Sequence, residues 1–283
     1  AAAHGATAQN TSGFTVHKDI VYFTVNGKEI LADVYRPEGG ETLPGIVYVH
    51  GGGFIMGHKA FQRIPEVMQT LAGAGYVVAS VNYRLLNQGG RFPRPIGDVN
   101  CAVRWFKANA DTYGLDPARI GLVGSSAGGY LALMAAYNTG GRYEDPACPY
   151  DSHDSSVLSV VDYFGITNLV SFRGPSTGIL MAKLLRASYE KNPDLYVEAS
   201  PVSHVHTAPP TLIMQGSEDT LVPYQQSEEL RDALAAAGIP HQYILYPGAN
   251  HGFIHELEGP VGGPAARATI DWFDRWVKDR TRK

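Results

Sequence analysis

Runs of apolar residues alternate along this chain with amphipathic stretches of helical period. The apolar and alternating runs predict eight strands, over residues 17–25, 29–35, 45–49, 76–83, 120–123, 157–164, 211–215 and 242–246. Apolar positions at helical spacing predict the intervening helices, over residues 60–73, 96–112, 127–136, 178–189, 224–237 and 264–277. Asn26-Gly27 joins the first two strands and is a strong hairpin signal.

A hairpin followed by alternating strands and helices predicts an α/β domain with a mainly parallel, eight-stranded sheet flanked by helices. Residues 1–15 are small and polar and predict a flexible tail, which leaves residues 16–283 for a single domain. Residues 166–208 lack a clear strand, and we interpret them as a short insertion, the cap segment. Ligands of such sheets bind at the carboxyl ends of the strands, so we look there for chemistry.

Composition narrows the class of protein. Hydrophobic residues make up 44% of the chain, which is ample for a large core, and the formal net charge of -4 argues against a nucleic-acid partner. No apolar run is long enough to predict a membrane span.

The two cysteines, Cys101 and Cys148, are too few for a disulfide framework or a metal site, and they either pair or stay free. His204 and His206 lack a third ligand at suitable spacing, so we predict no metal.

The sequence Gly124-Ser125-Ser126-Ala127-Gly128 lies between a predicted strand and a predicted helix. A nucleophile on such a sharp turn needs neighbours with little or no side chain two positions away on either side. The following helix points its positive dipole end at the place where negative charge would develop. We therefore predict that Ser126 is a catalytic nucleophile.

A serine hydroxyl needs a base, and the base needs a third group to hold it. Asp219 follows one later strand and His251 follows the last, which gives the order Ser, Asp, His found in α/β-hydrolases. His251 is the predicted general base, and Asp219 the acid that orients it. Glu218 is the adjacent alternative for the acid.

The oxyanion of the reaction needs hydrogen-bond donors. The run His50-Gly51-Gly52-Gly53 follows a strand, and the backbone N–H groups of Gly52, Gly53 and Ala127 are the predicted donors. We interpret His50 as a scaffold residue rather than a base. Three residues beside these motifs are candidates for substrate contact: Phe54, Ser125 and Tyr130.

Together these motifs resemble hormone-sensitive-lipase-like α/β-hydrolases over residues 20–278, and within them bacterial bifunctional feruloyl/acetylxylan esterases. The general resemblance rests on residues 50–54, 82–85 and 124–129 and on the two turns that carry the predicted acid and base. The narrower one rests on residues 92–115 and 200–202. It implies an α/β-hydrolase fold and ester hydrolysis without a cofactor. Residues 166–198 depart from the family pattern, and they are where a cap would contact the acyl and alcohol groups of the substrate.

We predict a serine carboxylic-ester hydrolase that acts through an acyl-enzyme on short-chain acyl or feruloyl esters, free or linked to plant polysaccharide. A short cap leaves limited room for a long acyl chain. Two alternatives stay open: a small amidase or formamidase on the same triad, and a non-catalytic binding protein on a hydrolase scaffold. A cell-wall substrate would favour export. The sequence does not determine the oligomeric state.

Overall fold

The computed structural model describes residues 7–11 and 13–279, with side chains from residue 13 onward. Nine strands form one sheet: β1 (Thr7–Thr11), β2 (Phe14–Val25), β3 (Lys28–Pro37), β4 (Leu43–Val49), β5 (Val77–Val81), β6 (Leu115–Ser125), β7 (Ser159–Tyr163), β8 (Thr211–Gly216) and β9 (His241–Tyr246). The α-helices are α1 (Ile64–Gly73), α2 (Arg94–Ala108), α3 (Ala110–Tyr113), α4 (Ala127–Tyr137), α5 (Pro175–Leu185), α6 (Pro193–Glu198), α7 (Gln225–Ala236) and α8 (Gly262–Phe273). Short 3₁₀ helices span Leu86–Gln88, Pro201–Thr207 and Phe253–His255, and a π turn spans Asp274–Lys278.

The sheet is mixed. Its strand order is β1-β2-β3-β5-β4-β6-β7-β8-β9, with antiparallel pairing from β1 to β5 and parallel pairing from β5 to β9. The β2–β3 hairpin turns at Asn26 and Gly27, as predicted. The central strands β5, β7 and β8 are buried at every position, as expected for parallel strands covered on both faces.

Helices cover both faces of the sheet and bury two separate apolar layers. One layer joins the sheet to α2, α4, α7 and the cap helices α5 and α6. The other joins the opposite face to α1 and α8. Because β6, β7, β8 and β9 run parallel, their carboxyl ends and the turns after them lie along one edge of the sheet.

The structure adds one strand to the eight that the pattern predicts. β1 lies within the segment predicted as a flexible tail, and it pairs antiparallel with β2. Its residues show no apolar alternation, because an edge strand of this kind is held by backbone pairing that leaves no trace in side-chain pattern. The tail prediction is also wrong at residues 14 and 15, because β2 begins at Phe14 and pairs with β1 there. Residues 1–6 and 12 of the predicted tail lie outside the described residues.

Several elements differ from their predicted bounds: α1 begins four residues later than predicted, at Ile64, and α5 spans Pro175–Leu185 instead of 178–189. β6 begins at Leu115, five residues earlier than its apolar run, because its first residues pair with the start of β4.

A disulfide joins Cys101 in α2 to Cys148, which settles the pairing that the sequence leaves open. Across the described residues, no helix combines the length and apolarity that a bilayer crossing requires.

Candidate active site

Ser126 lies in the one-residue turn between β6 and α4, with φ 56° and ψ −122°. A positive φ is rare for a residue with a side chain and marks a strained turn. A Cβ on Gly124 would lie 2.1 Å from the carbonyl oxygen of Gly128, and a Cβ on Gly128 would lie 2.2 Å from that of Val49. Both glycines of the motif are therefore required by contacts with the backbone, as the spacing predicts.

The backbone of Ser126 is fixed on both sides. Its N–H donates to the carbonyl oxygen of Tyr163, the last residue of β7, at 2.9 Å. Its carbonyl accepts from the N–H of Tyr130 at 3.0 Å and so begins the hydrogen-bonding of α4. The serine thus lies directly at the positive end of an eleven-residue helix.

The glycine run after β4 packs against this turn. A Cβ on Gly51 would lie 3.0 Å from the Ser125 carbonyl oxygen and 3.2 Å from the Ser126 Cβ. Gly52 and Gly53 have φ of 121° and 60°, and a Cβ on Gly52 would lie 2.0 Å from the Met56 carbonyl oxygen. Only glycine allows this compact loop, which brings the predicted oxyanion donors to the side of the nucleophile.

His50 supports that loop from below. Its ring stacks on Tyr83 with 4.4 Å between centroids, and its Nδ1–H donates to the Gly51 carbonyl at 2.7 Å. The Tyr83 hydroxyl donates to the His50 carbonyl at 3.0 Å. Burial lowers the pKa of His50 to about 4, so the ring is neutral at neutral pH. These contacts agree with the scaffold role inferred from sequence.

The predicted acid and base meet in space. His251 Nδ1 lies 2.7 Å from Asp219 Oδ2. The other carboxylate oxygen accepts the N–H groups of Leu221 and Val222, each at 2.9 Å, and Gln215 Nε2 donates to Oδ2 at 2.9 Å. A carboxylate held in this way can only accept, so it fixes the proton of His251 on Nδ1 and leaves Nε2 as the basic nitrogen.

Asp219 and Glu218, the two candidates for the acid, differ in burial. The side chain of Asp219 is fully buried in its turn, whereas Glu218 is exposed to solvent. Glu218 contributes a backbone hydrogen bond, N–H to the Ala249 carbonyl at 3.0 Å, which links the acid turn to the histidine turn. Asp219, not Glu218, therefore lies at the histidine.

Phe164 connects the serine and histidine sides of the site. It follows Tyr163, which accepts the Ser126 N–H, and its ring lies 4.5 Å from the His251 ring, centroid to centroid. Its own φ is 44°, a second strained position at the site. Sequence reasoning missed this residue. The available signal was its place directly after the strand that neighbours β6.

The three predicted substrate contacts are buried behind the loop and the turn. The Ser125 hydroxyl shares a hydrogen bond of 3.1 Å with the Tyr48 hydroxyl, beneath the sheet edge. Phe54 and Tyr130 pack edge to face, 5.5 Å between centroids, and each is at most 1% exposed. Their place is that of supporting residues, and direct contact with a substrate stays a prediction.

The cap segment approaches the oxyanion loop through α5. The side chain of Leu180 lies 3.8 Å, and that of Ile55 3.9 Å, from where a Cβ on Gly53 would stand. Arg91 and Phe92 fasten the carboxyl end of α5 to the body of the domain, through hydrogen bonds to the carbonyls of residues 183 and 184. Sequence reasoning placed a cap here but identified no residue in it.

Known proteins resemble the chain over most of its length. The family model named BD-FAE matches residues 32–234, and that of the dienelactone hydrolase family matches residues 197–277. Esterase LipC of Mycobacterium tuberculosis is 32% identical over 275 residues, which cover 94% of this chain and 67% of LipC. Esterase LipQ and the probable carboxylic ester hydrolase LipM of the same organism are matched over 55% and 50% of their own length.

Two solved structures share the fold. A truncated carbohydrate esterase from gut microbiota superposes with a TM-score of 0.83 at 26% identity, over 95% of this chain and 99% of that one. An acetyl ester-xyloside bifunctional hydrolase from Caldicellulosiruptor lactoaceticus superposes with a TM-score of 0.74 at 25% identity, over 88% of this chain and 89% of that one.

Proposed function

The chain belongs to the BD-FAE family and is an esterase, and from this premise we propose that it cleaves short-chain acyl or feruloyl esters through an acyl-enzyme on Ser126. The predicted α/β-hydrolase fold and the predicted hormone-sensitive-lipase-like esterase family are confirmed by these relatives. The observation that carries the proposed mechanism is the 2.7 Å hydrogen bond between Asp219 and His251, at the sheet edge that also holds Ser126.

In the proposed first half-reaction, Ser126 Oγ attacks the ester carbonyl carbon while His251 Nε2 accepts the hydroxyl proton. The carbonyl oxygen becomes an oxyanion, which the backbone N–H groups of Gly52, Gly53 and Ala127 stabilise, each worth about 3 kcal/mol in the transition state. The tetrahedral intermediate then expels the alcohol, which receives the proton from His251. An ester between the acyl group and Ser126 remains.

Water completes the reaction. His251 removes a proton from the water, which attacks the acyl carbon, and the second tetrahedral intermediate collapses to release the acid and restore the Ser126 hydroxyl. Asp219 keeps its negative charge throughout and stabilises the imidazolium that forms twice. Its buried carboxylate, with four hydrogen bonds, is well suited to that task.

Two observations support the proposed substrate class. The solved relatives are named as a carbohydrate esterase and an acetyl ester-xyloside hydrolase. In addition, Leu180 and Ile55 place apolar side chains beside Gly53, where an acyl chain or an aromatic acyl ring would contact them. Polysaccharide-linked acetate and ferulate esters combine a small or aromatic acyl group with a sugar alcohol, and they match this arrangement.

A chain-length series tests the acyl preference. We expect kcat/KM on p-nitrophenyl esters to be highest for acetate to butyrate, and to vanish in Ser126→Ala. A maximum at octanoate or longer contradicts the proposal. Matched amide substrates, measured beside these esters, would reveal an amidase if they were cleaved at comparable rates.

Polymeric substrates then separate the two acyl classes. Acetate and ferulate release are measured side by side on acetylated xylan, feruloylated arabinoxylan and simple esters. We expect release from at least one polymer that Ser126→Ala abolishes. Turnover of simple esters without release from either polymer would remove polysaccharide from the substrate class and leave the esterase assignment intact.

A further inference from the structure

Asp162 in β7 is a buried acid that the proposed reaction does not use. The residue has no exposed surface, and neither carboxyl oxygen has a well-formed hydrogen bond to the described residues. It pairs across the sheet with Gly124 of the serine turn and with Ile213 of β8. A buried carboxyl whose contact with the Gly165 N–H falls short of a well-formed hydrogen bond costs free energy, so packing stability does not explain an acid at this position.

The carboxyl is wedged between two glycines. A Cβ on Gly129, in the first turn of α4, would lie 2.2 Å from Asp162 Oδ1, and a Cβ on Gly165 would lie at the same distance. The space that these glycines leave is thus filled by the Asp162 carboxyl. It touches the helix that begins at Ser126 on one side and the chain that leaves β7 on the other.

That departing chain, residues 163–165, is the bend that contacts the backbone of Ser126 and the side chain of His251. Its Tyr163 carbonyl accepts the Ser126 N–H at 2.9 Å. The strained residue Phe164 donates its N–H to the Met214 carbonyl at 2.8 Å and lays its ring on His251 at 4.5 Å. A shift of the bend would move the serine and the imidazole relative to each other.

We propose that Asp162 is a positioning residue of the esterase reaction: its carboxyl holds the bend against the first turn of α4 and so sets the position of His251 relative to Ser126. The proposal rests on the proposed function, since it presupposes that Ser126 and His251 react. A misplacement of about 1 Å at such a pair lowers the rate about a hundredfold.

Because the Asp162 carboxyl can ionise, we expect kcat to depend on its charge state and therefore on pH. Burial raises the pKa of Asp162 to about 8, against a smaller opposite effect of the Gly165 N–H. Tyr137 of α4 is a titratable group that interacts with the Asp162 carboxyl. Its hydroxyl is hydrogen-bonded to Thr211, and a negative charge on Asp162 helps to raise the pKa of Tyr137. The register partners of Asp162 on the neighbouring strands, Gly124 of β6 and Ile213 of β8, carry no charge.

The acid is therefore neutral while the enzyme works at neutral pH. Above about pH 8 a negative charge would appear on a carboxyl that forms no ion pair with the described residues, which disfavours the packed arrangement. We expect kcat to fall there as the bend moves away from α4.

Three variants test this role: Asp162→Ala, Asp162→Asn and the control Val160→Ala. Val160 lies two positions earlier in β7, equally buried and on the same face of the sheet. We measure kcat and KM for p-nitrophenyl acetate across neutral and alkaline pH, together with thermal melting. Active-site titration of the wild type with a fluorophosphonate gives the competent fraction.

At neutral pH we expect Asp162→Ala to lower kcat about 10- to 100-fold with KM changed less than about threefold, and Val160→Ala to keep kcat within about threefold. Asp162→Asn should recover most of the lost kcat, because its amide has the shape of the neutral acid. It should also lack the alkaline fall of the wild type, because it cannot ionise.

Equal kcat in Asp162→Ala and Val160→Ala overturns the positioning role. If Asp162→Ala does not fold, the dependence of kcat on pH in Asp162→Asn tests the proposal instead. A decrease of kcat above pH 8 identical to that of the wild type overturns the proposal. Failure of the proposed function has a different signature: the wild type itself would show neither turnover nor fluorophosphonate labelling.

Discussion

The turns at the strand ends and the cap segment are held in place in different ways. At the strand ends, backbone meets backbone: a Cβ on Gly216 would lie 2.3 Å from the Ala249 carbonyl oxygen, and one on Gly128 would lie 2.2 Å from that of Val49. In the cap helix α5, a Cβ on Gly178 would meet nothing within 4 Å. The comparison shows that close backbone contacts fix the turns at the strand ends, whereas the cap helix has room for a larger side chain at Gly178.

Substitution of the buried acid should give the largest effect. Asp219→Asn leaves a side chain that can favour the wrong histidine tautomer, and we expect kcat to fall about 10⁴-fold with little change in KM. The matched control is the exposed neighbour Glu218→Gln, which should keep kcat within about twofold. Similar losses in both variants would show that the turn, and not the individual carboxylate, supports catalysis.

A pair of glycine substitutions compares the two regions directly. Gly128→Ala places a Cβ against the carbonyls of Val49 and His50, so we expect a loss of at least about 2 kcal/mol in the free energy of unfolding and about a hundredfold in kcat. Gly178→Ala should raise the free energy of unfolding by up to about 1 kcal/mol. Denaturant melts and ester hydrolysis measure both, and equal tolerance at the two positions would remove the distinction.

Within the cap, neighbouring residues should separate specificity from packing. Leu180 points at the oxyanion loop, whereas Ile179 is 61% exposed. Leu180→Ala makes room beside Gly53, so the ratio of kcat/KM for butyrate over acetate should rise about tenfold. Ile179→Ala should leave this ratio unchanged. Indistinguishable ratios for the two variants would place the acyl group elsewhere.

The smallest effect concerns the scaffold under the oxyanion loop. Burial lowers the pKa of His50 from 6.5 to about 4, so between these values the unfolded chain binds the extra proton. The resulting stability is fully present above pH 6.5 and is lost as the pH falls toward 4. His50→Gln should flatten this part of the melting temperature profile. The exposed cap residue His206, changed to Gln, should leave the profile as it is, and an identical slope in all three proteins would contradict the assignment.

The turns of the candidate site could be predicted from the sequence because the constraints on them come from residues close by in the chain. The glycines around Ser126 and the order of Ser126, Asp219 and His251 follow from strain, strand ends and proton chemistry within a few residues of each motif. The alternation of strands and helices gave the sheet in the same way. The contact of Asp219 with His251 joins two turns that each follow a strand, so topology brought them together.

Other features depended on contacts between distant parts of the chain. β1 is held by backbone pairing, and the Cys101–Cys148 bond links residues 47 positions apart. Phe164 and Asp162 matter through the residues that surround them, and neither lies in a recognisable motif. Leu180 was one apolar residue among many in a helix until the fold placed it beside Gly53.

Covalent labelling of Ser126 is the most direct test of the central claim. The protein is treated with a fluorophosphonate, digested, and the modified peptide is sequenced by mass spectrometry. We predict one adduct per chain, on Ser126, which is absent in Ser126→Ala and forms far more slowly in His251→Ala. An adduct on another residue, or labelling that persists in Ser126→Ala, would contradict the acyl-enzyme account.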